Sequence, residues 1–249
     1  MGRAVQSTIN AVGVEPLATR VFATLVQRRN RFVADVLVDG RQEAAHVPNS
    51  GRMHELMEPG TEVVLRPAPA GTTRKTAYDL LAVRYADRWV GVDSRVPPSM
   101  VVEAWRSGVL PVFADYTDVR REVRYGGSRL DLLFSGAPGL AYVEAKSVNL
   151  VEDGVAMFPD APTVRGARHL LELRDAVADG HRAAACFVVQ RDDARVLRPH
   201  AEKDPVFADT LARVVAEGVE AYAIACVTTP EGTTPVGLVP IEITPGVFA

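Results

Sequence analysis

Cysteine and lysine are both scarce in this 249-residue chain, and long apolar runs are missing. The two cysteines, Cys186 and Cys226, lie 40 positions apart inside apolar stretches. That spacing excludes a Cys/His zinc site and predicts reduced core thiols in a cytoplasmic protein. No run of 18 apolar residues occurs, so no membrane-spanning helix is expected. Met1–Pro16 has no basic segment followed by an apolar stretch, so no secretory signal is expected. Lysine occurs only at Lys75, Lys146 and Lys203; the rest of the 28 basic residues are arginine. A bias of that size follows genome composition and does not by itself indicate phosphate binding. It does make each lysine worth placing.

Hydrophobic residues at 47% and charged residues at 24% describe an ordinary globular chain, long enough for one large or two small domains. The net charge of −3 argues against indiscriminate nucleic-acid binding. It is unevenly distributed. Residues 1–95 hold 13 Lys and Arg against 10 Asp and Glu, a net +3, and residues 96–249 hold 15 against 21, a net −6.

The first 95 residues read as β. Arg20–Gln27, Arg31–Val38, Gln42–Val47, Thr61–Arg66, Thr76–Arg84 and Arg88–Val92 are β-rich runs. They are parted by Arg28-Arg29-Asn30, Asp39-Gly40, Pro48-Asn49-Ser50-Gly51 and the Pro67–Thr73 loop, with a helical turn expected over Arg52–Met57. Three strands, a short helix and further strands are the order of an OB-like barrel. Residues 96–249 change pattern: a helix capped by Ser99, strands over Val119–Tyr125, Arg129–Phe134 and Ala141–Val148, a helix over Thr163–Asp179, a strand over Arg182–Gln190, a helix opened by Asp204-Pro205, and a strand over Val219–Val227. The expected class is α/β (α+β) in two domains, 1–95 as the barrel and 96–249 as a mixed sheet flanked by helices.

The most specific constellation is Asp131 followed by Glu144-Ala145-Lys146. Positions i and i+2 of a strand share a face, so Glu144 and Lys146 point together, and Asp131 on the preceding strand reaches the same place. Two carboxylates repel, and a hard divalent cation, Mg²⁺ or Mn²⁺, relieves that repulsion. The Ala145 carbonyl adds a neutral oxygen, and Glu103 on the preceding helix is a candidate third carboxylate. Lys146 then stands ready to orient a water or neutralise a phosphate. A plain Glu–Lys salt bridge at a sheet edge accounts for the same spacing on its own.

Further motifs extend the pattern: Arg31-Phe32-Val33-Ala34-Asp35, His46-Val47-Pro48-Asn49-Ser50-Gly51, Arg121-Glu122-Val123, Ser128-Arg129-Leu130-Asp131, Tyr142-Val143-Glu144-Ala145-Lys146-Ser147-Val148, and Phe158-Pro159-Asp160-Ala161-Pro162-Thr163-Val164-Arg165-Gly166 with His169-Leu170. Over nearly its whole length the sequence resembles the sugar fermentation stimulation protein A family of bacteria and archaea. The resemblance implies DNA binding, an OB-like N-terminal domain and a C-terminal domain similar to PD-(D/E)XK nucleases. It places Asp131, Glu144 and Lys146 on the nuclease core positions. Val47 stands where the family often has Cys, Ser50 where it has Thr, and Ala145 where it has Val; no carboxylate and no lysine is lost.

Candidate nucleic-acid contacts are Arg28, Arg29 and Arg31 beside Phe32, then Asn49 and Arg52 in the polar turn. Arg165, Arg168 and His169 join them from the first two turns of the helix that Thr163 caps. Each has a plain alternative as a solvated turn or helix face. Two functions compete. One is a divalent-metal nuclease with DNA as partner. The other is a non-catalytic DNA-binding regulatory protein of sugar metabolism that keeps the nuclease-like domain as a scaffold. The intact Asp/Glu/Lys set favours the first, since a scaffold does not need it. No membrane partner is expected, and the oligomeric state stays open, a homodimer included.

Overall fold

Period-two alternation builds the first half of the computed structural model, which describes residues 20–69 and 71–243; Met1–Pro16 lies outside them. In β1 (Val21–Asn30), Ala23 and Leu25 point inward while Phe22, Thr24 and Val26 face out. β2 (Val33–Val38), β3 (Arg41–His46), β4 (Glu62–Pro67) and β5 (Tyr78–Tyr85) continue the pattern. Ala34, Val36, Ala45, Val63, Leu65 and Leu80 are fully buried in one core. The strand order is β3-β2-β1-β4-β5, and a parallel pairing of β3 with β5 closes the barrel, with His46 opposite Asp79. Closure removes the sheet edges. Asp79 is buried there against Arg74 (2.6 Å), Arg66 (3.1 Å), Arg95 (3.3 Å) and His46 (3.2 Å). Burial pushes its carboxyl up, but the hydrogen bonds from Arg74 and Arg66 and the charge of Arg95 hold it well below the usual range.

Two expectations shift. The first hairpin turns at Arg31-Phe32 and not at Arg28–Asn30, because bulges between Leu25 and Gln27 and between Arg28 and Asn30 let β1 run on to Asn30. Arg52–Met57 makes a single turn, with Met57 N donating to Met53 O (3.1 Å), and does not extend into a helix.

β6 (Arg88–Gly91) leads out of the barrel and meets β14 (Glu220–Thr229) at Trp89 opposite Thr228. The second half is a mixed sheet. β7 (Tyr116–Tyr125), β8 (Ser128–Gly136) and β9 (Gly139–Val148) are antiparallel; β9, β12 (Arg182–Val189) and β14 are parallel, and β15 (Gly232–Val239) folds back on β14. β10 (Val151–Glu152), β11 (Val155–Phe158) and β13 (Val196–Pro199) make a small separate sheet. Among the described residues three helices flank the large one: α1 (Pro97–Arg106), α2 (Val164–Ala178) and α3 (Pro205–Ala216). Thr163 caps α2 through Gly166 N (3.0 Å), and Asp204 caps α3 through Phe207 N (3.0 Å). α1 begins at Pro97 behind Val96, because two prolines already fix the φ of its first turn. Ser99 lies inside it, where its hydroxyl accepts from Arg121 (3.2 Å).

Alternation along the central strands separates two faces. Val143, Ala141, Cys186 and Ile224 pack with Val101 and Ala104 of α1. Tyr142, Val148, Phe187 and Val189 pack with Leu170 and Leu173 of α2 and with Phe207 of α3. No helix among the described residues is long and apolar enough to cross a membrane. Cys186 and Cys226 are free and buried, and burial pushes the Cys226 thiol up to about 12.

Polar bonds join the two halves. Asn49 Nδ2 donates to Val92 O (2.9 Å) and to Asn149 Oδ1 (3.2 Å), Asn149 donates to Gly91 O, and Gly91 N donates to Gln190 O (3.0 Å). A Cβ at Gly91 would come within 2.6 Å of Gln190 Oε1 and 3.2 Å of Thr228 Oγ1, so any side chain here would displace the Gln190 amide from its place in the seam. Met53 N donates to Asp160 Oδ2 (3.3 Å) across the same seam.

Candidate active site

The β8–β9 ladder stops at Leu132 opposite Val143. Beyond that point Ala145 N has no strand partner on the β8 side, and the Asp131 carboxylate accepts from it at 2.8 Å. The N–H and C=O of one strand residue point the same way. The Ala145 carbonyl therefore faces the gap that Asp131 borders. Glu144 and Lys146 share the α2 side of the sheet with Tyr142 and Val148, as their spacing requires.

Glu144 is nearly fully buried, and one of its oxygens is doubly engaged. Oε1 accepts from Lys146 Nζ (2.6 Å) and meets His169 Nδ1 from α2. Arg165 Nε donates to His169 Nε2 (3.3 Å). An arginine nitrogen can only donate, so Nε2 is the acceptor and Nδ1 carries the proton given to Glu144. Glu144 Oε2 is buried with no hydrogen-bond partner. Burial would raise the Glu144 carboxyl, but Lys146 and His169 outweigh it and hold it below its usual value. Asp131 goes the other way: burial, then the charge of Glu144, push it up to about 6. Two neighbouring carboxylates with opposed shifts, one with an orphaned oxygen, form a site short of a positive charge.

This arrangement suits a divalent cation. An oxygen of Asp131, Glu144 Oε2 and the Ala145 carbonyl are all oxygen donors, and Mg²⁺ is commonly held by one or two carboxylates with water completing its shell. Among the described residues no group of three His, Cys, Asp or Glu side chains converges on one point. Glu103, expected as a third carboxylate, stands exposed on α1, which packs on the opposite face of the sheet from Glu144.

The expected nucleic-acid contacts divide into committed and free groups. Arg28 does not reach outward: it donates to the carbonyls of Arg31 (2.7 Å), Gly51 (2.8 Å) and Arg52, clamping the 49–52 turn. Arg29 is held by buried Asp35 (Nε to Oδ2, 2.7 Å). Asn49 is buried in the seam, and its Oδ1 accepts from Gly51 N (2.8 Å). His169 is buried and holds Glu144, so it does not reach outward from α2. Arg31 and Arg52 stay exposed around a recess of about 330 Å³ that His54 and Met57 also line. Arg165 and Arg168 are exposed on α2. Through the Met53–Asp160 bond the recess adjoins the loop that leads into α2. Sequence reasoning missed the hold of His169 on Glu144, although its helical phase with Leu170, Leu173 and Ala176 already marked it as inward-facing. The seam residues Asn149 and Gln190 carried no motif, and Asp160 lay in one without a role assigned to it.

Comparison with known proteins places this geometry in a family. Residues 95–232 match the family model described as the sugar fermentation stimulation protein RE domain, and residues 26–92 match the SfsA N-terminal OB domain. A sugar fermentation stimulation protein homolog of Symbiobacterium thermophilum is 48% identical over 248 residues, covering 93% of this chain and 98% of the relative. That of Desulforamulus reducens is 48% identical over 204 residues, covering 82% and 84%. The solved structure of Pyrococcus furiosus SfsA in complex with Ca²⁺ is 31% identical, with a TM-score of 0.83 over 94% of this chain and 100% of that one.

Proposed function

The chain belongs to the sugar fermentation stimulation protein A family, and from that premise we propose that it is a DNA-binding protein that hydrolyses phosphodiester bonds with a divalent metal, Mg²⁺ or Mn²⁺. The observation that carries this reading is the buried, unpartnered Oε2 of Glu144 beside Asp131, with Lys146 on the same face. The Ca²⁺ held by the Pyrococcus furiosus relative supports it. Asp131, Glu144 and the Ala145 carbonyl would hold the metal, which when bound would polarise the phosphate and acidify a water. Lys146 Nζ neutralises charge where a phosphate oxygen approaches. His169 fixes Glu144 by donating from Nδ1, so that Oε2 is the oxygen left over. Arg31 and Arg52 on the barrel and Arg165 and Arg168 on α2 would take backbone phosphates.

The test is incubation of the protein with mixed nucleic acids, with and without Mg²⁺ or Mn²⁺, beside Glu144→Gln and Lys146→Ala. Metal-dependent cleavage lost in both variants, with binding retained, is expected. Binding with neither cleavage nor metal uptake would give the site to the non-catalytic, regulatory reading.

A further inference from the structure

A second cavity lies on the other face of the sheet. It is a cleft of about 540 Å³ where the barrel, α1 and the β14–β15 hairpin meet, within the size range of small-ligand sites and at a junction where such sites concentrate. Its apolar part is formed by Leu81, Met100 and Val102. Its charged residues are five arginines against three carboxylates. Arg66 and Arg95 are committed to buried Asp79. Arg106 is not: its side chain makes no hydrogen bond and no ion pair among the described residues. Arg121 has one partner, the Ser99 hydroxyl. Gln190 also lines the cleft, fully buried, with Nε2 donating to Ser147 Oγ (2.8 Å) and Asp93 O (3.2 Å) but Oε1 unpartnered. A buried carbonyl oxygen without a donor is costly to leave so. The cleft thus combines an apolar wall, two guanidinium groups with open donors, and an unsatisfied acceptor at its base.

We infer that this cleft binds a nucleoside monophosphate, its phosphate on Arg106 and Arg121, its base against Met100 and Val102, and a base or ribose donor on Gln190 Oε1. Guanidinium groups match phosphate oxygens in pairs, and an apolar wall suits a planar base. The inference does not depend on the metal site, which lies across the sheet.

Calorimetric titration of AMP, adenosine and inorganic phosphate into the full chain tests it. AMP should bind saturably at millimolar or lower concentration, and at least about 10-fold more tightly than adenosine or phosphate alone. Arg106→Ser with Arg121→Ser should weaken AMP by at least about 10-fold, the loss of one charge-assisted contact or more, while leaving the melting temperature of the free protein unchanged. Both positions are exposed, so the variant should fold. Three results would each overturn the inference: no AMP uptake at several millimolar, equal affinity for adenosine, or unchanged AMP affinity in the double variant. Uptake of a short oligonucleotide but not AMP, sensitive to the same substitutions, would also overturn it and give the cleft to nucleic acid.

Discussion

Asp131 shows how one carboxylate can oppose folding while serving a site. Its folded value of about 6 lies above the 3.8 of an unperturbed aspartate, because burial and Glu144 both disfavour its charge. The folded state therefore holds this proton more tightly than the unfolded chain. The stability that follows is complete below pH about 4 and disappears as pH rises through 6. Asp131→Asn removes the charge and keeps an oxygen to accept from Ala145 N. It should leave stability nearly unchanged at pH 4 and raise it by about 1–2 kcal/mol at pH 7, read from urea melts at both values. The same variant should lose any stabilisation by Mn²⁺. A melt in which Asp131→Asn costs stability at pH 7 would show Asp131 to be a salt-bridge partner. Asp131, Glu144 and Lys146 were legible in the sequence because a period of two fixes which side chains share a face. The bond from His169 to Glu144 was not, because it joins residues 25 positions apart through packing between a helix and a strand.

Among the elements, the β1–β2 hairpin and the turn at Asn49–Arg52 distinguish arginines that a sequence treats alike. Arg28 and Arg29 hold backbone carbonyls and Asp35, while Arg31 and Arg52 are open. Replacing Arg31 and Arg52 by Ala should lower the log–log salt slope of nucleic-acid binding by roughly 0.7–0.9 per lost phosphate contact, with the melting temperature unchanged. Arg29→Ala should do the reverse. It leaves the salt slope intact and lowers the melting temperature, because buried Asp35 loses its cation and keeps only the Gln27 Nε2 donor (2.9 Å). Titrations from about 50 to 300 mM salt, paired with melts, separate the two roles. Most strands and all three helices were legible from alternation and caps. β10, β11 and β13 were not, since runs of two to four residues carry no period. β15 was hidden by its Gly, Thr and Pro content. Ser99 was misread as a cap because the prolines before it already start the helix.

For the molecule as a whole, the seam decides whether barrel and mixed sheet unfold together. Asn49, Asn149 and Gln190 are all buried in it, and Asn49 satisfies both Val92 O and Asn149 Oδ1. Opening the seam would strip these buried groups of partners at once, a cost that links the two cores. One tryptophan reports on each half: Trp89 in β6, stacked edge-on against Phe22, and Trp105 in α1, edge-on against Phe134. The single-tryptophan variants Trp89→Phe and Trp105→Phe should therefore each give a fluorescence melt in urea with the midpoint of that variant's far-UV circular dichroism. Asn49→Ala, made in both backgrounds, should lower the two midpoints by the same amount, about 1–3 kcal/mol in stability, because it takes the side-chain donor from Val92 O and leaves Asn149 Oδ1 only the longer bond from Ser147 Oγ (3.4 Å). If the Trp89 transition instead moves alone, the barrel is an independent folding unit, and the seam bonds follow folding without coupling the halves.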